Sequence, residues 1–158
     1  MRGEMNLTDI EDVLSRQIVG RIGCHADDIT YIVPISYAYD GEYIYGHTKE
    51  GMKVAIMRKN PKVCFQADRM PDMANWQSVI VWGEYEELTD PAPRKKAMQK
   101  LVNRVLPMIS SETTHLSPQW PFPAKDPGEI SGIVFRIKVG KKTGCFETNS
   151  DAVFIQAF

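Results

Sequence analysis

The chain has too few cysteines for a disulfide framework. Its three, Cys24, Cys64 and Cys145, are odd in number and widely separated, which fits neither paired bridges nor a CxxC metal site. They are expected to be reduced and to act as small apolar core residues. Charge of one sign is also missing. With 19 basic and 20 acidic side chains the net charge is −1, so no overall field favours DNA or RNA, and no run of like charges forms a tail. Long apolar runs are absent too: Val79–Trp82 and Ile32–Ile35 fall far short of the roughly 20 residues of a membrane span. The acidic, amphipathic start MRGEMNLTDIED is unlike a secretion signal. A cytoplasmic protein without a membrane segment is expected.

Standard catalytic signatures are lacking as well. The sequence has no GxSxG and no Gly-rich dinucleotide fingerprint, and His25, His47 and His115 stand in no HxxxH or HExxH spacing, so no metal site is expected. His25 directly follows Cys24, and neighbours on a strand point to opposite faces. His115 lies in a polar loop. His47 differs by position: it sits at a strand end beside a cationic turn, where an imidazole serves local hydrogen bonding or meets a phosphate or a flat ring. There is no internal repeat or low-complexity tract. At 158 residues, the chain reads as one domain, 1–158, which buries roughly two-thirds of its unfolded surface.

What is present reads mostly as strands. Thr8-Asp9-Ile10-Glu11 matches a capping box, with Ile10, Val13 and Leu14 as the apolar stripe of a short helix. Ile18–His25 and Ile29–Tyr39 form a hairpin across the polar break Ala26-Asp27-Asp28. Pro34 inside the second run marks an edge, a bulge or backbone turned toward a ligand. Asp40-Gly41 signals another hairpin, into Glu42–Gly46. Thr48, Lys49, Glu50 and Gly51 then feed a short helix whose face is read from Met52, Ala55 and Ile56, closed by Asn60-Pro61. Such a turn offers backbone N–H groups, the positive helix end and Lys53, a candidate phosphate cradle. Lys62–Asp68 and Trp76–Leu88 follow as strands, with Gly83 as a bulge. Asp90-Pro91 starts a helix striped by Ala97, Met98, Leu101, Val102 and Val105. The region 108–129, with four prolines, Trp120 and Phe122, is read as an ordered loop that covers another part of the fold. Ile130–Lys138 is a last strand, and Gly140-Lys141-Lys142-Thr143-Gly144 opens a loop-like C-terminus ending in Val153–Phe158. The fold class is therefore mainly β: a closed or partly closed antiparallel barrel with peripheral helices.

The order VPISYAY, a DG turn, YIYGHTKEGMKVAIMRKNPKVCFQAD, then WQSVIVWGEYEEL resembles the pyridoxamine 5′-phosphate oxidase-like flavin-binding split-barrel superfamily, in its nitroimidazole-resistance-type branch. The resemblance is good over Thr8–Leu88 and looser beyond. It implies a split β-barrel and a homodimer with FMN in clefts at the subunit interface. Lys53 matches the helix residue that pairs with the flavin phosphate, and His47, Thr48 and Lys49 match the turn that wraps it. Val33, Pro34, Ile35 and Ser36 match the strand facing the isoalloxazine edge, and Trp76, Gln77 and Ser78 match the start of the strand near the ring. Two positions depart from the true oxidases: Met52 stands where an arginine precedes the lysine, and GKKTGCFETN lacks their Arg-x-His pattern. Oxidation of vitamin B6 is accordingly not expected. The resemblance implies instead an FMN-dependent reductase that passes electrons from NAD(P)H to a small acceptor such as a nitroaromatic or quinone, the flavin carrying the chemistry. No residue is assigned a catalytic role. The alternatives are a non-catalytic flavin carrier or redox sensor, or a haem-binding relative with His25, His47 or Met52 as axial ligand.

Overall fold

Alternation of period two organises the molecule. A computed structural model of the chain describes residues 1–105 and 131–149. In chain order they form β1 (Arg2–Glu4), α1 (Leu7–Arg16), β2 (Val19–Ala26), β3 (Ile29–Ser36), β4 (Ala38–Tyr39), β5 (Tyr43–Thr48), α2 (Met52–Lys59), β6 (Lys62–Arg69), β7 (Trp76–Glu87), α3 (Pro91–Val105) and β8 (Ile133–Glu147). The strands make one antiparallel sheet in the order β3-β2-β6-β7-β8-β5-β4, with β1 on β8. The sheet curls until β3 packs against β5, a half-barrel with three peripheral helices, as the strand patterns led one to expect.

Burial alternates along β2, β6 and the middle of β7, and Ile22, Phe65, Val79 and Val81 are fully buried. With Phe135 and Ile137 from β8 they fill the interior under α1 and α2. Phe65 meets Tyr37 edge-on, ring centroids 4.7 Å apart, the favoured aromatic geometry. Tyr37 also ends the long second strand pattern, splitting it into β3 and β4. Its side chain turns inward and its hydroxyl donates to the Leu14 carbonyl at 2.7 Å. Tyr37→Phe leaves that carbonyl unsatisfied and is expected to cost about 1–2 kcal/mol with the fold retained, read from urea midpoints at constant m. A second cluster, Ala38, Tyr45, Leu88, Ala97, Met98, Leu101 and Val134, seats α3 on β5 and β8.

The turns agree with their residues. Asp27 and Asp28 both have positive φ, 51° and 61°, the two-residue hairpin geometry that short polar side chains tolerate. Pro34 lies on β3, the edge strand. The register shift between Trp82 and Gly83 makes the expected bulge.

Several expectations are corrected. Helix α1 is capped by Asn6, whose side chain accepts from the Asp9 N–H at 2.8 Å. Thr8 lies inside the helix, because an Asx residue two positions earlier takes the cap first. On α2 the buried face is Val54, Ile56 and Met57, while Met52 and Ala55 are exposed. The Gly140–Gly144 run is not a loop but the middle of β8, paired with β7 from Val79 to Trp82. Its glycines answer to packing: a Cβ on Gly144 would lie 2.8 Å from the Met5 sulfur and 2.9 Å from Ile10. The β1 strand, which pairs with the end of β8, had no three-residue signal of its own. Of the cysteines only Cys24 is a core residue; Cys64 is half-buried and Cys145 exposed, all three free thiols. The readings of 108–129, with His115, Trp120 and Phe122, and of Val153–Phe158 lie outside the described residues. Among the described residues no helix is long and apolar enough to cross a membrane.

Candidate functional site

Strand β5 runs two residues further than its sequence pattern suggests, so His47 and Thr48 are its last members, opposite Val134 and Ile133 of β8. Lys49, Glu50 and Gly51 alone make the turn into α2. That helix begins without help: its N-cap is Gly51, no side chain caps it, and its first turn holds no acid. The first N–H groups of such a helix have no intrahelical partner, and with the dipole they favour an anion. Lys53 stands in this first turn, half-buried. Burial draws its pKa below the ordinary lysine value, opposed by the nearby Cys24 thiol. Among the described residues no carboxylate or hydrogen-bond acceptor pairs with it. The same proximity acts on Cys24, whose pKa is raised by burial and by Cys64 and lowered by Lys53, so α2 sets Lys53 against the inner face of β2.

His47 is engaged from another side. Its Nε2 lies 2.7 Å from the Ser131 carbonyl oxygen; a carbonyl only accepts, so Nε2 carries the proton. The ring also packs on Gly132, where a Cβ would sit 2.7 Å from Nε2, at a backbone φ of +108° that itself favours glycine. Burial and, less, Arg94 hold the His47 pKa down, against the Ser131 bond. Arg94 of α3 donates to the Gly132 carbonyl at 3.2 Å. Sequence spacing gave no sign of this Arg94–Gly132–His47 grouping.

The remaining candidates divide into two sets. Val33, Pro34, Ile35 and Ser36 lie on edge strand β3, opposite Ile22, Arg21, Gly20 and Val19. Lys53 approaches these strands from α2, which packs on β2 near Cys24, the partner of Tyr31 on β3. Trp76, Gln77 and Ser78 lie two strands beyond β2, where Gln66 donates to Ser78 and also accepts from Arg21, the partner of Pro34. They open β7 opposite Glu147, Phe146 and Cys145. Val134, opposite His47, and Glu147, opposite Trp76, are separated by roughly 40 Å of strand at ~3.3 Å per residue. At that far end the Trp76 indole N–H donates to Glu147 at 3.2 Å, and Trp76 and Gln77 line a cleft of about 370 Å³. One chain therefore sets the Trp76 group far along the sheet from His47 and links it to the β3 group through Arg21 and Gln66.

Between the two sets lies the outer face of the sheet. In register across five strands stand Ile32, Gly23, Cys64, Trp82 and Lys141. Ile32 is 71% exposed and Trp82 43%, beside an open groove of about 790 Å³. Next to this apolar row is a polar one. Arg21 pairs with Asp68, and Gln66 donates to Ser78 at 3.0 Å. Apolar Ile80 and Trp82 on the face opposite Val79, Val81 and Tyr85 were readable from the β7 sequence; the crosswise rows, set by register, were not. Among the described residues no group of three or more His, Cys, Asp or Glu is placed to hold a metal ion.

Comparison with known proteins gives this architecture a family. An uncharacterised protein of Rhizobium meliloti (strain 1021) is 38% identical over 84 residues, 53% of this chain and 56% of that protein's own length; the match thus spans about half of the relative. Among solved structures, an FAD-binding protein from Mesorhizobium loti superposes with a TM-score of 0.74 at 27% identity, over 94% of this chain and 99% of that one. A candidate 5-nitroimidazole antibiotic resistance protein from Bacteroides thetaiotaomicron reaches 0.70 at 17% identity, over 92% and 87%, a likeness of fold. The family model for pyridoxamine 5′-phosphate oxidase matches residues 7–139, from α1 to the bulged middle of β8. By fold, by strand order and by this match, the chain belongs to the pyridoxamine 5′-phosphate oxidase-like split-barrel family.

Proposed function

We propose that the protein binds FMN, with its phosphate held by Lys53 and the turn of His47, Thr48 and Lys49 and its ring along Val33–Ser36, at a site completed by Trp76–Ser78 of a second copy. The reading goes on to an FMN-dependent oxidoreductase that passes electrons from NAD(P)H to a small acceptor such as a nitroaromatic or quinone. Lys53 carries it: a half-buried ammonium with no carboxylate among the described residues, beside a helix start with neither side-chain cap nor acid. These residues fit a phosphate, and a flavin when bound would supply the hydride and electron chemistry. The chain's own residues would hold the anion at Lys53 Nζ and the first N–H groups of α2, and line the ring with a proline-bearing edge strand that needs no further ladder partner. His47, its Nε2 at 2.7 Å from the Ser131 carbonyl, closes the strand end at that turn. Both the Mesorhizobium relative, named as FAD-binding, and the family favour a flavin, and a phosphate contact suits either nucleotide form.

Titration by flavin fluorescence tests this. FMN is expected to bind about tenfold or more tightly than riboflavin, the difference being the charge-assisted contacts to the phosphate; FAD forms the third arm. Equal affinity for FMN and riboflavin would remove the phosphate site and the proposal with it.

A further inference from the structure

The proposed phosphate site has a competitor built into the chain. Glu50 directly precedes Gly51, the N-cap of α2. A carboxylate there is as well suited as a phosphate to the unsatisfied N–H groups of the first turn. In the structure it does not go there. Arg58, two turns along the same helix, folds back and grips it with both fork nitrogens, Nη1 to Oε2 at 3.0 Å and Nη2 to Oε1 at 2.8 Å. The same guanidinium reaches Glu87 of β7, Nε at 2.9 Å and Nη2 at 3.1 Å, and Tyr85 donates to Glu87 at 2.8 Å. Arg58 thus holds two acids at once, and Glu87, on the twelve-residue strand β7, anchors it to the sheet. Lys53, nearby, has neither acid.

We infer that Arg58 is a positioning residue for phosphate recognition: by clamping the Glu50 carboxylate against Glu87, it keeps negative charge off the start of α2 and leaves Lys53 and the first N–H groups open to a phosphate. The inference rests on the phosphate reading above. A surface ion pair of this exposure contributes little to stability, so its position beside the cradle is the better account of a bidentate, doubly anchored arrangement. Planar fork geometry is what the task requires, and a lysine cannot supply it.

Because Arg58 acts through Glu50, rescue is the decisive readout. Arg58→Ala is expected to weaken FMN about three- to tenfold and leave riboflavin unchanged. Glu50→Gln alone is expected to leave FMN affinity the same or slightly tighter, and Arg58→Ala/Glu50→Gln to restore it to within about twofold of wild type. A variant that spares Arg58 gives a second test. Glu50→Asp keeps the charge but shortens the reach to the clamp, so it should weaken FMN where Glu50→Gln does not. Loss in Arg58→Ala that Glu50→Gln fails to rescue would assign Arg58 a merely structural role and overturn the inference, as would wild-type FMN affinity in Arg58→Ala, or equal behaviour of Glu50→Asp and Glu50→Gln. In those cases wild type still prefers FMN over riboflavin; a wild type without that preference overturns the phosphate reading and this inference together.

Discussion

Lys53→Ala weakens FMN by roughly ten- to a hundredfold, as expected when one charge-assisted hydrogen bond worth about 1.5–3 kcal/mol is removed, and leaves riboflavin affinity within about twofold. The two ligands differ only at the phosphate, so the ratio of their losses isolates that contact. The fold should not suffer. The Lys53 pKa is lowered by burial, so the protonated side chain is held less favourably than in the unfolded chain, and that penalty is relieved as pH rises. Alanine carries no such charge, and the midpoint of unliganded unfolding should stay level or rise. A bound phosphate reverses the balance in wild type, giving the buried ammonium the partner it lacks. If Lys53→Ala binds FMN as wild type does while Thr48→Val abolishes binding, the phosphate sits at the end of β5 and not on the first turn of α2.

How far the sequence led can be read from the same residues. Period-two runs and turn chemistry are local, so the hairpins at Asp27-Asp28 and Asp40-Gly41, the edge position of Pro34 and the bulge at Gly83 were all legible. The place of Lys53 in the first turn of α2 was legible for the same reason, since a turn before a helix is a matter of adjacent residues. What failed was decided at long range. Gly140–Gly144 reads as a loop until β7 and α1 are seen to press on it. The α2 face turned out to be Val54, Ile56 and Met57 because eight residues hold too few turns for periodicity to fix a direction. The His47 bond to Ser131 and the Arg58 clamp join positions 84 and 29 or fewer residues apart, and neither partner announces the other. The resemblance supplied Trp76–Ser78, but only register revealed that these residues lie at the opposite end of β7 from His47.

That separation yields the sharpest expected result, in which two damaged chains repair one another. If each flavin site takes Lys53 from one copy and Trp76 and Gln77 from its partner, then Lys53→Ala and Trp76→Ala/Gln77→Ala homodimers both bind FMN weakly, for different reasons. In a mixed dimer, one site collects all the substitutions and the other collects none. Random assortment makes half the dimers mixed, so about a quarter of all sites should regain wild-type affinity when the two chains are unfolded together and refolded at equal amounts. The outer sheet face offers the surface for such pairing: Ile32, Ile80 and Trp82 are 71%, 38% and 43% exposed on the single chain, more apolar area than an isolated domain comfortably shows to water. A two-fold axis would bury both copies at once and shorten the gap between the two half-sites without any change within the chain. Mass action adds a second signature, since FMN binding only the dimer must raise the dimer fraction and dilution must release FMN. Sedimentation across protein concentrations reads this directly. A mixture that binds no better than its two components, or a dilute monomer that keeps stoichiometric FMN, would place the whole site within one chain and leave Trp76 with its Glu147 bond as a purely structural residue.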